Sequence, residues 1–243
     1  MHHVVLDRWG YGSSPVHRRD PRAKMLAALI FLAALATAHH SYLAVSAVYF
    51  AVLVASILVA GLPPGALLQR AALVLPFSLV FAAMSVAAGD PMRAISLVVK
   101  SYLSALVVLV LVSTTPLPQL LRGLERMAVP RFLLLVVQFL YRYLFVISEE
   151  AQHMRAAAVA KAGSMRRVIS GRRHFGAAAG AAGVLFARSY ARAEQIHLAM
   201  LARGFAGHFR PLAKSSFRKL DAAFLIGATA AIVLLRAAIE VWT

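Results

Sequence analysis

The sequence predicts an all-α, polytopic membrane protein, with about five transmembrane helices and a cytoplasmic pair of long, crossed helices. Three observations carry this. The chain of 243 residues is 61% hydrophobic, with a mean hydropathy of +0.75, beyond the composition of an ordinary soluble domain. Its apolar residues gather in runs long enough to enter a bilayer. Its charge is lopsided, with 26 Lys and Arg against 9 Asp and Glu and a net charge of +17, and thirteen of the cations lie between Glu149 and Asp221, which places that region in the cytoplasm. Such a charge also suits nucleic acid, but the apolar runs make the lipid bilayer and an acidic protein the expected partners instead. Without cysteine the chain has no disulfide and no thiolate metal site.

Residues 1–24 read as a cytoplasmic N-terminal tail, because Arg8, Arg18, Arg19, Arg22 and Lys24 precede the first apolar run and no apolar core of a cleavable signal peptide comes before them. The membrane domain follows at 25–113. Met25 to Ala38 is apolar, His39-His40-Ser41 interrupts, and Tyr42 to Gly61 is apolar again. The first piece is short for a span and needs Arg22 and Lys24 to snorkel toward the headgroups. A two-span hairpin, 25–38 and 42–61, is one reading, and a single span over 25–61 is the other. Leu62-Pro63-Pro64-Gly65 breaks the helix, 71–88 forms the next span, Gly89-Asp90-Pro91 turns it, and 94–113 forms another. Lys100 falls either near the end of that span or toward the bundle interior. If the hairpin holds, four spans return the chain to the cytoplasm, so Phe132 to Ile147 lies at the interface; if 25–61 is one span, this segment crosses. Both readings keep the basic region from Glu149 to Asp221 facing the cytoplasm, within a cytoplasmic or interfacial coupling module at 114–221, and make 222–243 the last transmembrane helix.

Within that module the apolar periodicity gives two long helices, about 131–162 and 172–203. Gly176, Gly180 and Gly183 lie among alanines, and small residues at four-residue spacing let helices approach closely, so the two are expected to cross there. On the second helix Ala193, Ile196, Ala199, Met200 and Arg203 share one face. Gly204 suits the left-handed position just past a helix, which leaves Arg203 in the last turn, where unpaired carbonyls favour a cation. The first helix ends similarly in Ala160-Lys161-Ala162 before Gly163. Two cationic helix tips are what a dimeric partner with two sockets would receive.

These residues resemble the transmembrane T-component of energy-coupling factor transporters, in particular the CbiQ-type subunit of cobalt and nickel importers. The likeness rests on Ser14-Pro15-Val16-His17-Arg18-Arg19-Asp20-Pro21-Arg22-Ala23-Lys24, on Thr115 through Pro130 with Phe139 to Tyr143 and Glu149-Glu150, and most specifically on Ala199-Met200-Leu201-Ala202-Arg203-Gly204-Phe205. It implies that the long helices are coupling helices, whose Ala-Arg-Gly tips dock into grooves of two ABC ATPase subunits while their apolar faces hold a substrate-binding membrane S-component. Ala202-Arg203-Gly204 keeps the family signature intact. At the other tip Lys161 stands where the family usually has arginine, keeping the charge but not the bidentate fork. The resemblance further implies a subunit of the bacterial inner membrane that binds no cofactor itself, with ATP and magnesium held by the ATPases. The transported ion, cobalt or nickel, is bound by the S-component. A vitamin importer would use the same type of subunit.

Two other chemistries are weighed against this. His39-His40 stands at an outer turn, but adjacent histidines point apart and metal ligands must converge. Glu150-Ala-Gln-His153 and Glu194-Gln-Ile-His197 fit the Glu-x-x-His pattern of di-iron carboxylate bundles, which makes a membrane-bound di-iron oxidase the alternative from another class. That site needs a further Glu from each of two other helices. Glu125 and Glu240 are the candidates, and Glu240 closes the outward end of the last span, so Glu150 is expected instead to pair with a nearby cation. No Gly-x-x-x-x-Gly-Lys loop is present, so the chain is expected to be non-catalytic and to take its energy from a partner.

Overall fold

The computed structural model describes residues 10, 12, 14–37, 42–127, 129–162, 171–207 and 219–242; side chains are described except at 42–45, 161–162, 171–174, 235–236 and 238–242. His39, His40 and Gly163 lie outside the described residues, as do most of the N-terminal tail and the basic stretch 208–218. Among the described residues the regular structure is entirely helical: α1 (Pro21–Ala36), α2 (Tyr42–Val59), α3 (Pro64–Ala72), α4 (Leu75–Ala87), α5 (Pro91–Thr114), α6 (Leu117–Glu125), α7 (Arg131–Ala162), α8 (Gly171–Ala202) and α9 (Lys219–Trp242).

Helix starts follow from short local signals. Asp20-Pro21 and Asp90-Pro91 use one device: the Asp side chain accepts from a backbone N–H of the first turn, Arg22 at 2.9 Å and Arg93 at 3.0 Å, and proline occupies a position where its missing N–H costs nothing. The turn from α4 to α5 is closed by Gly89 at φ +87°, with the Gly89 N–H donating to the Val86 carbonyl at 3.0 Å and the Asp90 N–H to Ser85 at 3.1 Å. This is the paired bonding of a Schellman cap.

The expected span at 71–88 is in two pieces. Pro76 has no N–H to offer the Ala72 carbonyl, and the helix breaks there into α3 and α4, bent by 48°. Residues 132–147 are the first half of α7, within the long helix expected at about 131–162, and Arg131–Ala160 has the length and composition to cross a bilayer. Among the described residues Pro91–Thr114 also meets that requirement alone, and the bent pair α3–α4 meets it as one broken span.

The chain divides into two units, one containing α7 and α8 and the other α1 to α6 with α9. In the larger unit α5 packs against α1, α2, α3 and α4, while α1 also meets α6 and α9. Its core joins Phe31, Leu35, Tyr49, Leu53, Ile57, Leu67, Leu103, Leu106 and Ile232, with the Phe31 and Tyr49 rings 5.1 Å apart. Leu103, Leu106 and Val107 are buried at the three- and four-residue spacing of one helical face. Lys100 is half-buried in the middle of α5, away from either end. On α4, by contrast, Phe77, Val80, Phe81 and Met84 are exposed, the outward apolar surface of a helix that faces lipid. In the smaller unit α7 and α8 are 32 residues each and touch one another.

Candidate functional site

The tip of α8 is closed by the six residues from Met200 to Phe205. The Gly204 N–H donates to the Leu201 carbonyl at 2.9 Å and the Phe205 N–H to Met200 at 3.0 Å, with Gly204 at φ +76°. This Schellman cap needs a residue that tolerates the left-handed region. It stops the helix at Ala202 and turns the chain away, so that Ala202, Arg203 and Gly204 are all exposed. Of the expected apolar face, Ile196 and Met200 are half-buried, whereas Ala193, Ala199 and Arg203 are not. A guanidinium in this position carries five donors beyond the helix end and can meet a carboxylate with two of them. At the tip of α7, Ala160 is exposed; Lys161 and Ala162 are the last helical residues, and their side chains lie outside the described residues.

The two helices are tied by an ion pair, Glu150 of α7 accepting from Arg188 of α8. Glu150 thus pairs with a cation, as the sequence suggested. His153, Glu194 and His197 are exposed, and among the described residues no three His, Asp or Glu side chains converge, so the donor set of a di-iron site is not assembled there. The expected crossing at Gly176, Gly180 and Gly183 is corrected by the structure: a Cβ at any of the three would meet nothing within 4 Å. Small residues permit close approach but supply no attraction in themselves, and the contact described between the two helices is the Glu150–Arg188 ion pair. Gly180→Leu should therefore leave the stability of the isolated chain unchanged or raise it by up to about 1 kcal/mol through helix propensity. Thermal unfolding in detergent checks this, and a fall in stability would show that the glycines are packed.

A second polar cluster lies in the larger unit, where the sequence suggested only snorkelling. Lys24 is not extended toward headgroups: it is buried, and its ammonium donates to the Thr114 carbonyl at 2.9 Å, Thr115 Oγ1 at 3.1 Å and the His17 carbonyl at 3.3 Å. All three ammonium protons have acceptors, one of them a C-terminal carbonyl of α5, where the helix dipole favours a cation. Lys24 precedes the apolar run that starts at Met25. Burial pushes its ammonium down to about 8, against the attraction of Asp20 and then Asp221. Asp20 and Asp221 are both buried, and the Asp20 backbone N–H donates to Asp221 Oδ1 at 3.1 Å. Arg22 adds a second cation, its Nε 3.5 Å from Asp20 Oδ1. Two carboxylates and two cations thus balance. In the preceding loop the His17 ring bonds Ser14 Oγ through Nδ1 at 2.7 Å and fills the space beside Gly12, where a Cβ would lie 2.7 Å from it.

One signal could have found this cluster. Acidic residues are scarce in a chain with 9 of them, so an Asp opening the last helix invites a search for a buried cation. Beside it, an apolar cavity of about 410 Å³ lies between α1, α2, α5 and α9, lined by Ala28, Phe31, Val107, Gly227 and Ala228 among others, with Lys24 and Thr114 at its polar margin.

Comparison with known proteins places these features in a family. Residues 12–213 match the family whose description is CbiQ, cobalt transport protein, so the match takes in both the buried cluster's N-terminal half and the tip of α8. A cobalt transport protein CbiQ from Rhodobacter capsulatus is 32% identical over 122 residues, which are 50% of this chain and 48% of that protein. The match thus spans about half the length of that relative.

Proposed function

The chain belongs to the CbiQ family of cobalt transport proteins, and from that premise we propose that it is the transmembrane coupling subunit of an ATP-driven, energy-coupling-factor importer for cobalt or nickel ions. Its partners are two ABC ATPase subunits, a substrate-binding S-component and the lipid of the bacterial inner membrane. The observation that carries the reading is the α8 tip, an exposed Arg203 set just beyond a Schellman-capped helix. The match to a protein whose printed name is cobalt transport protein favours cobalt within the pair.

The mechanism asks for stiffness. A 32-residue helix is about 48 Å long at a rise of 1.5 Å per residue. From the Glu150–Arg188 tie the arms to Lys161 and Arg203 are roughly 17 and 22 Å long. ATPases that close on nucleotide draw the two tips together or apart, and the helices turn about their tie as rigid rods. The exposed apolar side chains of these helices, Leu140 and Leu144 on α7 and Phe186 and Tyr190 on α8, would carry the S-component, and the open alanine-glycine face at 176–183 admits a partner helix closely. ATP and magnesium stay with the ATPases.

Purification of the tagged chain in mild detergent tests the reading: two ATPase polypeptides should come with it, in a ratio of two to one. Because those ATPases work in the cytoplasm, their capture would also place the helical pair on that side. Recovery without any ATPase would overturn the proposal.

A further inference from the structure

Inside the larger unit α1 and α2 each pack against both α5 and α9, and the cavity of about 410 Å³ lies within that ring of four helices. It is an elongated slot with unlike ends. Lys24 and Thr114, joined by the bond from the ammonium to the Thr114 carbonyl, mark one end. Ala223 of α9 belongs to the same end, because it follows Asp221 by two residues and Asp221 is bonded to Asp20. Phe31, Val107 and Ile232, all buried, mark the other end. At a rise of 1.5 Å per residue the slot runs roughly 10 Å along α1 from Lys24 to Phe31, and about 13 Å along α9 from Ala223 to Ile232. It opens beside α9, where Ala223, Gly227 and Ala231 line it and are exposed.

Water is a poor occupant for this space. A buried water needs about two to four polar partners, and the donors along the slot are already committed. Ser56 Oγ donates to the Val52 carbonyl at 2.8 Å, Thr114 Oγ1 to the Val110 carbonyl at 2.9 Å, and the Lys24 ammonium to its three acceptors. An apolar cavity of only about 150 Å³ stays dry and takes up benzene. Because α5 has the length and composition to cross a bilayer, the slot lies among lipid chains, and an acyl chain is the apolar group at hand. The polar end adds a sign. The buried set of Asp20, Asp221, Arg22 and Lys24 is neutral in sum, whereas Arg18 and Arg19 directly before Asp20, and Lys219 two residues before Asp221, leave that end positive. Arg18 and Lys219 are exposed, where a cation attracts an anionic headgroup.

We propose that the slot holds one acyl chain of an anionic phospholipid, with the phosphate at the Arg18 and Lys219 end. The chain completes the core between the four helices. The site stands independently of the coupling role proposed above.

The test uses the full chain, purified in detergent and freed of lipid, with bound lipid counted by native mass spectrometry. It is titrated with phosphatidylglycerol, with phosphatidylethanolamine of the same chains and with palmitate, an anionic chain without a phosphate. One phosphatidylglycerol should bind per chain, about tenfold more tightly than phosphatidylethanolamine. Gly227→Leu should abolish that binding: a Cβ at 227 meets nothing within 4 Å, so the new side chain enters the slot without displacing a neighbour, and the lipid-free variant should unfold at or above the parent temperature. Ala223→Leu repeats the block nearer the polar end. Lys219→Gln, outside the buried ionic set, should weaken phosphatidylglycerol about fivefold and leave phosphatidylethanolamine unchanged. Equal binding of the two phospholipids by the parent, or tighter binding of palmitate, overturns the anionic phospholipid as occupant. Binding that survives in both Gly227→Leu and Ala223→Leu overturns the slot as its site.

Discussion

Arg203→Glu should strip the ATPases from the purified chain and reduce cobalt uptake to background, while yield in the membrane stays at the parent level. The size follows from what the tip does in each state. In the isolated chain Arg203 is exposed, so its loss costs the fold about 0.3 to 1 kcal/mol through the helix dipole at most. In an acidic groove the guanidinium is desolvated against a carboxylate, and removing one partner of such a pair costs about 2 to 5 kcal/mol because the other charge is left unpaired. At about 1.4 kcal/mol per decade that is roughly thirtyfold to several thousandfold in affinity, and the reversed charge adds repulsion that Arg203→Ala does not. Lys161→Glu should be milder, since an ammonium makes only a point-charge contact. ATPase co-purification and uptake for the three variants beside the parent decide the matter. Full retention of both ATPases by Arg203→Glu would show that α8 does not end in a coupling residue.

The second large effect is on the fold. Lys24→Glu should prevent accumulation of the chain in the membrane. Lys24 supplies three hydrogen bonds to buried acceptors and a positive charge to Asp20 and Asp221. Removing one member of a buried ionic set costs about 3 to 5 kcal/mol, comparable with much of the 5 to 15 kcal/mol that holds a typical domain together. Here a third carboxylate would take its place. The measurement is the amount of full-length protein in washed membranes and its elution as a single species in detergent. Parent-like yield and a single peak for Lys24→Glu would show that the cluster contributes little to stability.

These two residues also mark how far the chain could be read unaided. Arg203 was legible because everything that shapes it is local: the three- and four-residue spacing of Ile196 and Met200, the glycine that must take φ +76°, and a cap closed within six residues. The same holds for the Asp-Pro starts of α1 and α5 and for the extents of α7 and α8, which depend on backbone hydrogen bonds between near neighbours. The break at Pro76 was legible in principle, since a missing N–H acts on the residue four before it, but the apolar run across it concealed the turn.

Lys24 was misread because two of its three acceptors, at Thr114 and Thr115, stand 90 and 91 residues away along the chain, and Asp221, whose charge attracts it, lies further on still. Periodicity carries no information on which distant carbonyl a side chain will meet. The glycines of α8 failed for a related reason: a small residue shows where a helix could approach, whereas among the described residues none comes within 4 Å of a Cβ placed there. By itself, then, the sequence determined the helical membrane class, the two long helices and the charged tip, all of which follow from short-range bonding and from the cost of placing polar groups in lipid. Only the tertiary structure decided that Glu150 of α7 pairs with Arg188 of α8 and that one turn of α1 bonds both the end of α5 and the start of α9. Buried polar groups take whichever partners the packing of distant helices brings within about 3 Å, and that packing is a property of the whole chain.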